Sequence, residues 1–433
     1  MTTPTLKPLS LRSRTLHDPL LWWMLGISAA LRLLMSALIG PGFDEAYYHA
    51  FSLHLSAGYF DHPPLVAITA GLGRWLTGWQ HPLTLRFGAV LWWTVALLGL
   101  YRLALHLYGR RAARLAVFLP HTMPYFLVGA GAFVIPDNAL AAAWVWALVV
   151  AHEIRDERIK RLHGFLLLGA LTGIALLAKY HAVLLPAALV IASLYDRKLR
   201  AWWRDPRLYL AVPVALLVFL PCILWNAQNE WISFAEQFGK GSSGGLRLRF
   251  DLLGQAVGGQ VGYLTPWMAI ALWIASLKRP PQRRAEDRWL LAFWLLPVGL
   301  FTLLGLTRGI LPHWTMPGYL SALVLAAGWF ARNRGAGGDD PLETRVDNAE
   351  DLFVTQKQAS WLGAAFGVLL VLIAGLILHA HTDLIPLPDK GDPTLDPAGW
   401  ERAVNTLEQQ GDLTEDDVFF THKWFTGGEI LWA

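Results

Sequence analysis

The sequence predicts an all-α polytopic membrane protein of about eleven transmembrane helices, with amphipathic helices in its first outer loop and a small α/β module at its C-terminal end. Three observations lead there. Hydrophobic residues make up 55% of the chain, charged residues only 16%, and mean hydropathy is +0.39. A soluble domain is typically about 25% charged. Apolar runs approaching the roughly 20 residues needed to cross a bilayer recur along the chain, and the 22 Trp and 11 Tyr suit the aromatic belts of membrane–water interfaces.

In order, the spans are expected at 19–40, 84–107, 112–134, 137–154, 163–179, 181–195, 208–227, 252–276, 289–307, 312–331 and 358–380. The first follows Lys7, Arg12 and Arg14 and lacks a small-residue cleavage site, so it reads as an uncleaved helix. The stretch 64–77 is apolar but short and carries Arg74, which suits a helix lying at the interface. Lys and Arg divide 25 to 10 between the two sets of loops, with Arg32 inside the first span. That bias places the N-terminus in the cytoplasm and the C-terminus outside, in agreement with the odd span count. Residues 1–380 then form the membrane domain, with a first outer loop at 41–83 and a polar cytoplasmic linker at 332–357. Residues 381–433 form the outer module, where WERAVNTLEQQ reads as an amphipathic helix and DDVFFT as a short strand. Because the apolar pattern runs up to Ala433, the natural chain is expected to continue. A single cysteine, Cys222, excludes a disulfide framework and a cysteine metal site. The chain has no P-loop, no dinucleotide-binding glycine pattern and no HExxH or HxxxH spacing.

Residues 43–65 concentrate the unusual polar side chains. The first span runs into Asp44-Glu45, followed by a Tyr-rich amphipathic stretch with Tyr47, Tyr48 and Tyr59, and then by Asp61-His62 before Pro63-Pro64. Carboxylates just past a span are costly near lipid and usually mark function. Asp44 is the choice for a general base, although Asp44-Glu45 also fits a helix cap with Glu45 in the first turn. His62 suits a phosphate contact or the orientation of a carboxylate, while the two prolines alone would explain a rigid turn. Asp137, after Pro136, fits either a cap or a pocket wall. Lys179-Tyr180-His181 fits an anion site at membrane depth or a snorkelling lysine. Arg308 and His313 bracket a short outer loop, as interfacial anchors or as a phosphate fork. Arg32 needs a partner in any reading. His54, His106, His121, His152 and His163 read as packing or interfacial residues.

The pattern DE…YF-D-H-PPL, with PDNAL (136–140), LLAKYHAVLLP (176–186) and PHWTMPGYL (312–320), resembles the membrane glycosyltransferases of the GT-C fold. The nearest branch holds the bacterial relatives of the dolichyl-phosphate-mannose protein mannosyltransferases and the aminoarabinose transferase that modifies lipid A. The resemblance implies inverting transfer of a sugar from a polyprenyl-phosphate-linked donor to an extracytoplasmic acceptor: lipid A or lipopolysaccharide, another envelope glycan, or a protein. It implies a bacterial inner membrane with the site on the periplasmic face, and no nucleic-acid partner. Asp44 matches the family's first-loop catalytic aspartate and Glu45 its acidic neighbour. Lys179, Arg308 and His313, with His62 and Tyr180, become the donor phosphate and sugar holders. Asp61, Asp137, His181, Tyr47, Tyr48 and Tyr59 become pocket or acceptor residues. Where the aminoarabinose transferases typically carry Glu-Lys, this chain has Asp61-His62. The scheme requires no cofactor and no metal, since side-chain cations meet the leaving charge. A competing class, a transporter or flippase for a lipid-linked sugar, is expected to show inverted repeats or broken helices near the midplane, and the sequence displays no convincing pair. A polymerase or ligase of O-antigen type would keep its key residues in a late outer loop.

Overall fold

The computed structural model describes residues 18–239, 247–278, 284–332, 356–382, 399–410 and 424–433, together with Leu384 and Asp392. The described residues form helices and turns, with no strand among them. In chain order the principal helices are α1 (Pro19–Leu38), α2 (Phe43–Leu53), α3 (Leu65–Thr77), α4 (Pro82–Tyr108), α5 (Arg110–Phe118), α6 (Ala130–Ala132), α7 (Asp137–Arg155), α8 (Arg161–Ala178) and α9 (Leu184–Tyr195). There follow α10 (Ala211–Gln228), α11 (Ile232–Gly239), α12 (Phe250–Leu264), α13 (Pro266–Leu277), α14 (Leu290–Leu304), α15 (Met316–Arg332), α16 (Gln356–Thr382), α17 (Trp400–Gln410) and α18 (Trp424–Trp432).

Each of the eleven expected stretches is helical, but they are not equivalent. Five described helices are long and apolar enough to cross a membrane, or seven if each of two bent pairs counts as one span. The stretch 112–134 folds back by 98° between Thr122 and Tyr125, where Pro124 cannot donate a backbone N–H. The stretch 252–276 bends by 93° at Thr265, whose φ of 64° is incompatible with a continuing helix and which precedes Pro266. Neither break is visible in hydropathy. The expected interfacial helix is α3, a separate 13-residue helix packed on α4. The two approach closely because Gly73 sits on the Thr84 carbonyl and Gly88 on that of Thr69.

The core is built around α4, which packs against α1, α3, α5 and α7, while α8 joins α7 to α10 and α15 packs on α13 and α14. Trp93, Trp144, Trp202, Trp289 and Trp294 are fully buried within this core, so the Trp content serves packing as well as interfaces. Arg32, wholly buried, finds no carboxylate among the described residues. Its guanidinium donates to the Ser28 side chain and to the Phe126 carbonyl at 3.2 Å, and lies 3.2 Å from His121 Nε2. In the C-terminal segment the expected amphipathic helix is α17. The expected strand DDVFFT and most of the linker 332–357 lie outside the described residues.

Candidate active site

A cavity of about 720 Å³ opens beside the segment that follows α1. One wall comes from α2 and the turn after it. Gly42 leads into α2 with an extended backbone, so Asp44 and Glu45 both fall in the first helical turn. Successive helical residues point about 100° apart, and here the two carboxylates part company. Asp44 is exposed and lines the cavity. Glu45 is 3% exposed and lies outside the cavity wall. It accepts from Arg86 Nε at 2.8 Å, from the Val134 amide at 2.9 Å and from the Gly42 amide at 3.3 Å. Arg86 in turn donates to the carbonyls of Ser36, Ile39 and Gly40 at the end of α1. Glu45 is therefore an anchor for α2, a correction to its expected place in the chemistry.

Beyond Asp44 the same wall carries Tyr47, Tyr48, Asp61 and His62. The Tyr47 hydroxyl donates to Asp61 Oδ1 at 3.4 Å, Tyr48 lies 3.3 Å from His62 Nε2, and His62 Nδ1 sits 2.8 Å from Asp61 Oδ1. Burial, with Asp61 adding to it, raises the pKa of Tyr47 well above the usual phenol value. Burial and the neighbouring Asp44 do the same for Tyr48. Both hydroxyls are thus kept protonated, as hydrogen-bond donors or acceptors. Tyr59 is not in this wall. Its hydroxyl accepts from the Ser56 amide at 3.1 Å and donates to the Phe51 carbonyl at 3.0 Å, and its ring stacks on Phe51 at 3.9 Å. It closes the loop on itself, which corrects its expected pocket role.

The rest of the lining comes from the starts and ends of later helices. The Asn138 side chain accepts from the Ile135 amide and donates to the Ala130 and Phe133 carbonyls, fixing the turn before α7 and hence Asp137. Lys179, at the end of α8, places Nζ 2.7 Å from Asp137 Oδ2. Tyr180, His181 and His313 line the cavity beside them. The Tyr180 hydroxyl bonds Ser233 Oγ at 2.6 Å, and His181 packs against Phe301 and Trp314. Lys179 and His313 therefore converge as expected, whereas Arg308 does not line the cavity. Arg308 belongs to the turn that ends α14, where its amide bonds the Leu304 carbonyl, and the chain reaches the cavity only at Leu311.

Several contributors escaped the sequence reading. Glu236 and Gln237 of α11 line the cavity, and Gln237 donates to the Asp61 carbonyl at 2.8 Å. Nothing in their local pattern announces it. Tyr125 and Tyr263, stacked with centroids 5.6 Å apart, come from the two bent segments. Arg86 had a usable signal, since it falls inside the expected span 84–107 and a buried cation requires a partner. Among the described residues, no three His, Cys, Asp or Glu side chains gather as metal ligands. The arrangement offers an exposed carboxylate, five phenols, a lysine and three imidazoles around one chamber.

A family model described as dolichyl-phosphate-mannose-protein mannosyltransferase matches residues 61–225, a stretch that includes Asp61, His62, Asp137 and Lys179 but begins after Asp44. Among curated proteins, the chain is similar to an undecaprenyl phosphate-alpha-4-amino-4-deoxy-L-arabinose arabinosyl transferase of Edwardsiella ictaluri, at 25% identity over 73% of this chain and 56% of that protein. It is also similar to the lipid A galacturonosyltransferase RgtD of Rhizobium johnstonii, at 27% identity over 65% of this chain and 59% of the relative. The chain spans a little over half the length of these relatives. Among solved structures, ArnT from Cupriavidus metallidurans bound to undecaprenyl phosphate matches with a TM-score of 0.62 at 19% identity, covering 95% of this chain and 75% of that one. The chain therefore has the fold of this solved structure, the GT-C fold that its sequence led us to expect.

Proposed function

We propose that the protein is a membrane glycosyltransferase that moves one sugar, with inversion, from a polyprenyl-phosphate-linked donor to an acceptor on lipid A or lipopolysaccharide. In this reading it resides in a bacterial inner membrane, with the chamber on the periplasmic face and the N-terminus in the cytoplasm. The observation that carries the proposal is that Asp44, Lys179 and His313, from three separate segments, line one cavity. An inverting displacement needs a base on one face of the sugar and a stabilised leaving phosphate on the other. Asp44 would take the proton from the acceptor hydroxyl, which requires only hydrogen-bond reach. Lys179 and the imidazole of His313 would meet the charge growing on the departing phosphate. Asp137 holds Lys179 in place, and Tyr47, Tyr48, Asp61 and His62 would position the sugar or acceptor. The likeness to an undecaprenyl phosphate-dependent arabinosyl transferase and a lipid A galacturonosyltransferase supports the substrate classes.

The two sharp bends restore one feature expected of a transporter. The test therefore uses purified protein with polyprenyl-phosphate sugars and scores cleavage of the sugar–phosphate bond, which a flippase leaves intact. Asp44→Asn should lower transfer by about 10²–10⁴-fold without loss of donor binding. Wild-type turnover by that variant would remove Asp44 from the mechanism, and donor translocation without cleavage would replace the transferase reading.

A further inference from the structure

The helix that carries Asp44 is gripped from two sides. Within the protein, Glu45 is fastened to Arg86 and to the Val134 amide. On its other side lies α18, a segment almost 400 residues later in the chain, which packs along α2. At the contact stands Gly428, buried in the middle of α18. A Cβ on Gly428 would lie 2.7 Å from the Tyr47 amide nitrogen and 2.9 Å from the Ala46 carbonyl carbon. These neighbours are backbone, so a side chain could enter only by moving a helix. Glycine weakens a helix interior, and its use at this place goes with the close approach. The far end of α18 is pinned as well. Trp432 meets His49 edge-on at 4.9 Å, its carbonyl accepts from Gln80 Nε2 at 2.9 Å, and its ring joins the small apolar cluster of Tyr48, Val66 and Val134.

We propose that Gly428 is a positioning residue: α18 sets the depth at which α2 lies, and so sets where Asp44 and Tyr47 stand in the cavity. The lever is short. Residues 46 and 47 touch Gly428, while the first turn is fixed one residue earlier at Glu45. Pressure at the contact therefore tilts α2 about that anchor, shifting the Asp44 carboxylate and the Tyr47–Asp61 hydrogen bond together. Misplacing a reacting group by 1 Å costs on the order of 10²-fold in rate.

The activity arm of the test rests on the function proposed above, and a second arm does not. In the full chain, Gly428→Val should lower kcat by about 10–100-fold, Gly428→Ala by less, and both should leave the donor KM within about twofold, because Lys179 and His313 sit on other elements. Leu431→Ala, on the exposed face of the same helix, should behave as wild type. Amide exchange in residues 43–53 should rise in Gly428→Val while exchange in α7 and α8 stays unchanged. If the wild-type protein transfers no sugar, the functional reading fails, and the exchange measurement still decides the positioning role. Unaltered exchange in 43–53, or a kcat for Gly428→Val equal to wild type, overturns the proposal. Should the valine variant fail to fold, the same two readings on Gly428→Ala decide it.

Discussion

Glu45 and Arg86 form a buried, two-pronged ion pair, with Nε 2.8 Å from Oε1 and Nη2 2.5 Å from Oε2, while the adjacent Asp44 faces the cavity. Two neighbouring carboxylates thus divide the work of holding the helix and presenting an acid. Removing one member of a buried pair leaves the other charge uncompensated, at a cost of about 3–5 kcal/mol. Glu45→Gln should therefore lower the unfolding free energy by about that amount. Asp44→Asn should change it by less than about 1 kcal/mol, the scale of a first-turn charge on the helix dipole. Denaturation of the detergent-solubilised variants distinguishes the two. Equal stability losses would mean that both carboxylates are structural.

The Lys179–Asp137 pair allows a cleaner separation of stability from activity. Lys179→Met alone should destabilise the protein by about 3–5 kcal/mol by stranding Asp137. The double variant Lys179→Met, Asp137→Asn should recover most of that loss while transfer stays abolished. A double-mutant cycle scored for both melting and turnover measures the coupling directly.

His49 gives the contact between α2 and α18 a pH dependence of predictable sign. Burial, with Arg74 adding to it, pushes its pKa down from 6.5 to about 4. The folded state prefers the neutral ring, so the contribution of His49 is fully present above pH 6.5 and is lost as pH falls from 6.5 toward 4. Exchange in α2 and α18, corrected for intrinsic rate, should rise over that window. The rise should disappear in His49→Gln.

Arg308 and His313 are close in sequence and should separate in function. Arg308→Ala is expected to leave the donor KM within about twofold, because Arg308 lies off the cavity wall and exposed or peripheral charges contribute little. His313→Ala should raise KM or lower kcat by about tenfold, the loss of one hydrogen bond to a charged group. Steady-state kinetics with a single donor suffices to compare them.

Orientation is testable without a substrate. Ala57→Cys should react with a membrane-impermeant thiol reagent from outside intact cells, after permeabilisation of any outer membrane, and Glu157→Cys should not. The opposite pattern would reverse the topology read from the basic loops and move the cavity to the cytoplasmic side.

The cavity's two richest segments were legible because they break a rule of composition. Asp44, Asp61 and His62 interrupt apolar sequence at the end of a span, and Lys179 and Asp137 do the same at two others, so the cost of placing them there marked them out. What composition could not convey was direction. Asp44 and Glu45 are chemically alike and adjacent, and only the helical turn sends one into the cavity and the other into the core. Tyr59 and Arg308 likewise fit a site by residue type, yet neither lines the cavity. The bends at Pro124 and Thr265 were invisible because hydropathy averages over a window, whereas a break is a property of one or two peptide units. The packing of α18 on α2 joins segments too far apart for any local pattern to connect them.

One of those bends has a further consequence, through Arg32. Backbone groups freed at a bend need internal partners wherever a bilayer excludes water, and the guanidinium of Arg32 reaches 94 residues along the chain to the Phe126 carbonyl, just past the 98° break. The first helix is therefore not an interchangeable membrane anchor. A segment equally greasy and equally long would insert as well, but it would leave the bend at Pro124 without its strut. Tyr125, Val128 and Gly129, which panel the cavity there, would then be free to relax into it. The protein's N-terminal hydrophobic segment thus serves as scaffolding for a chamber wall built by a different part of the polypeptide.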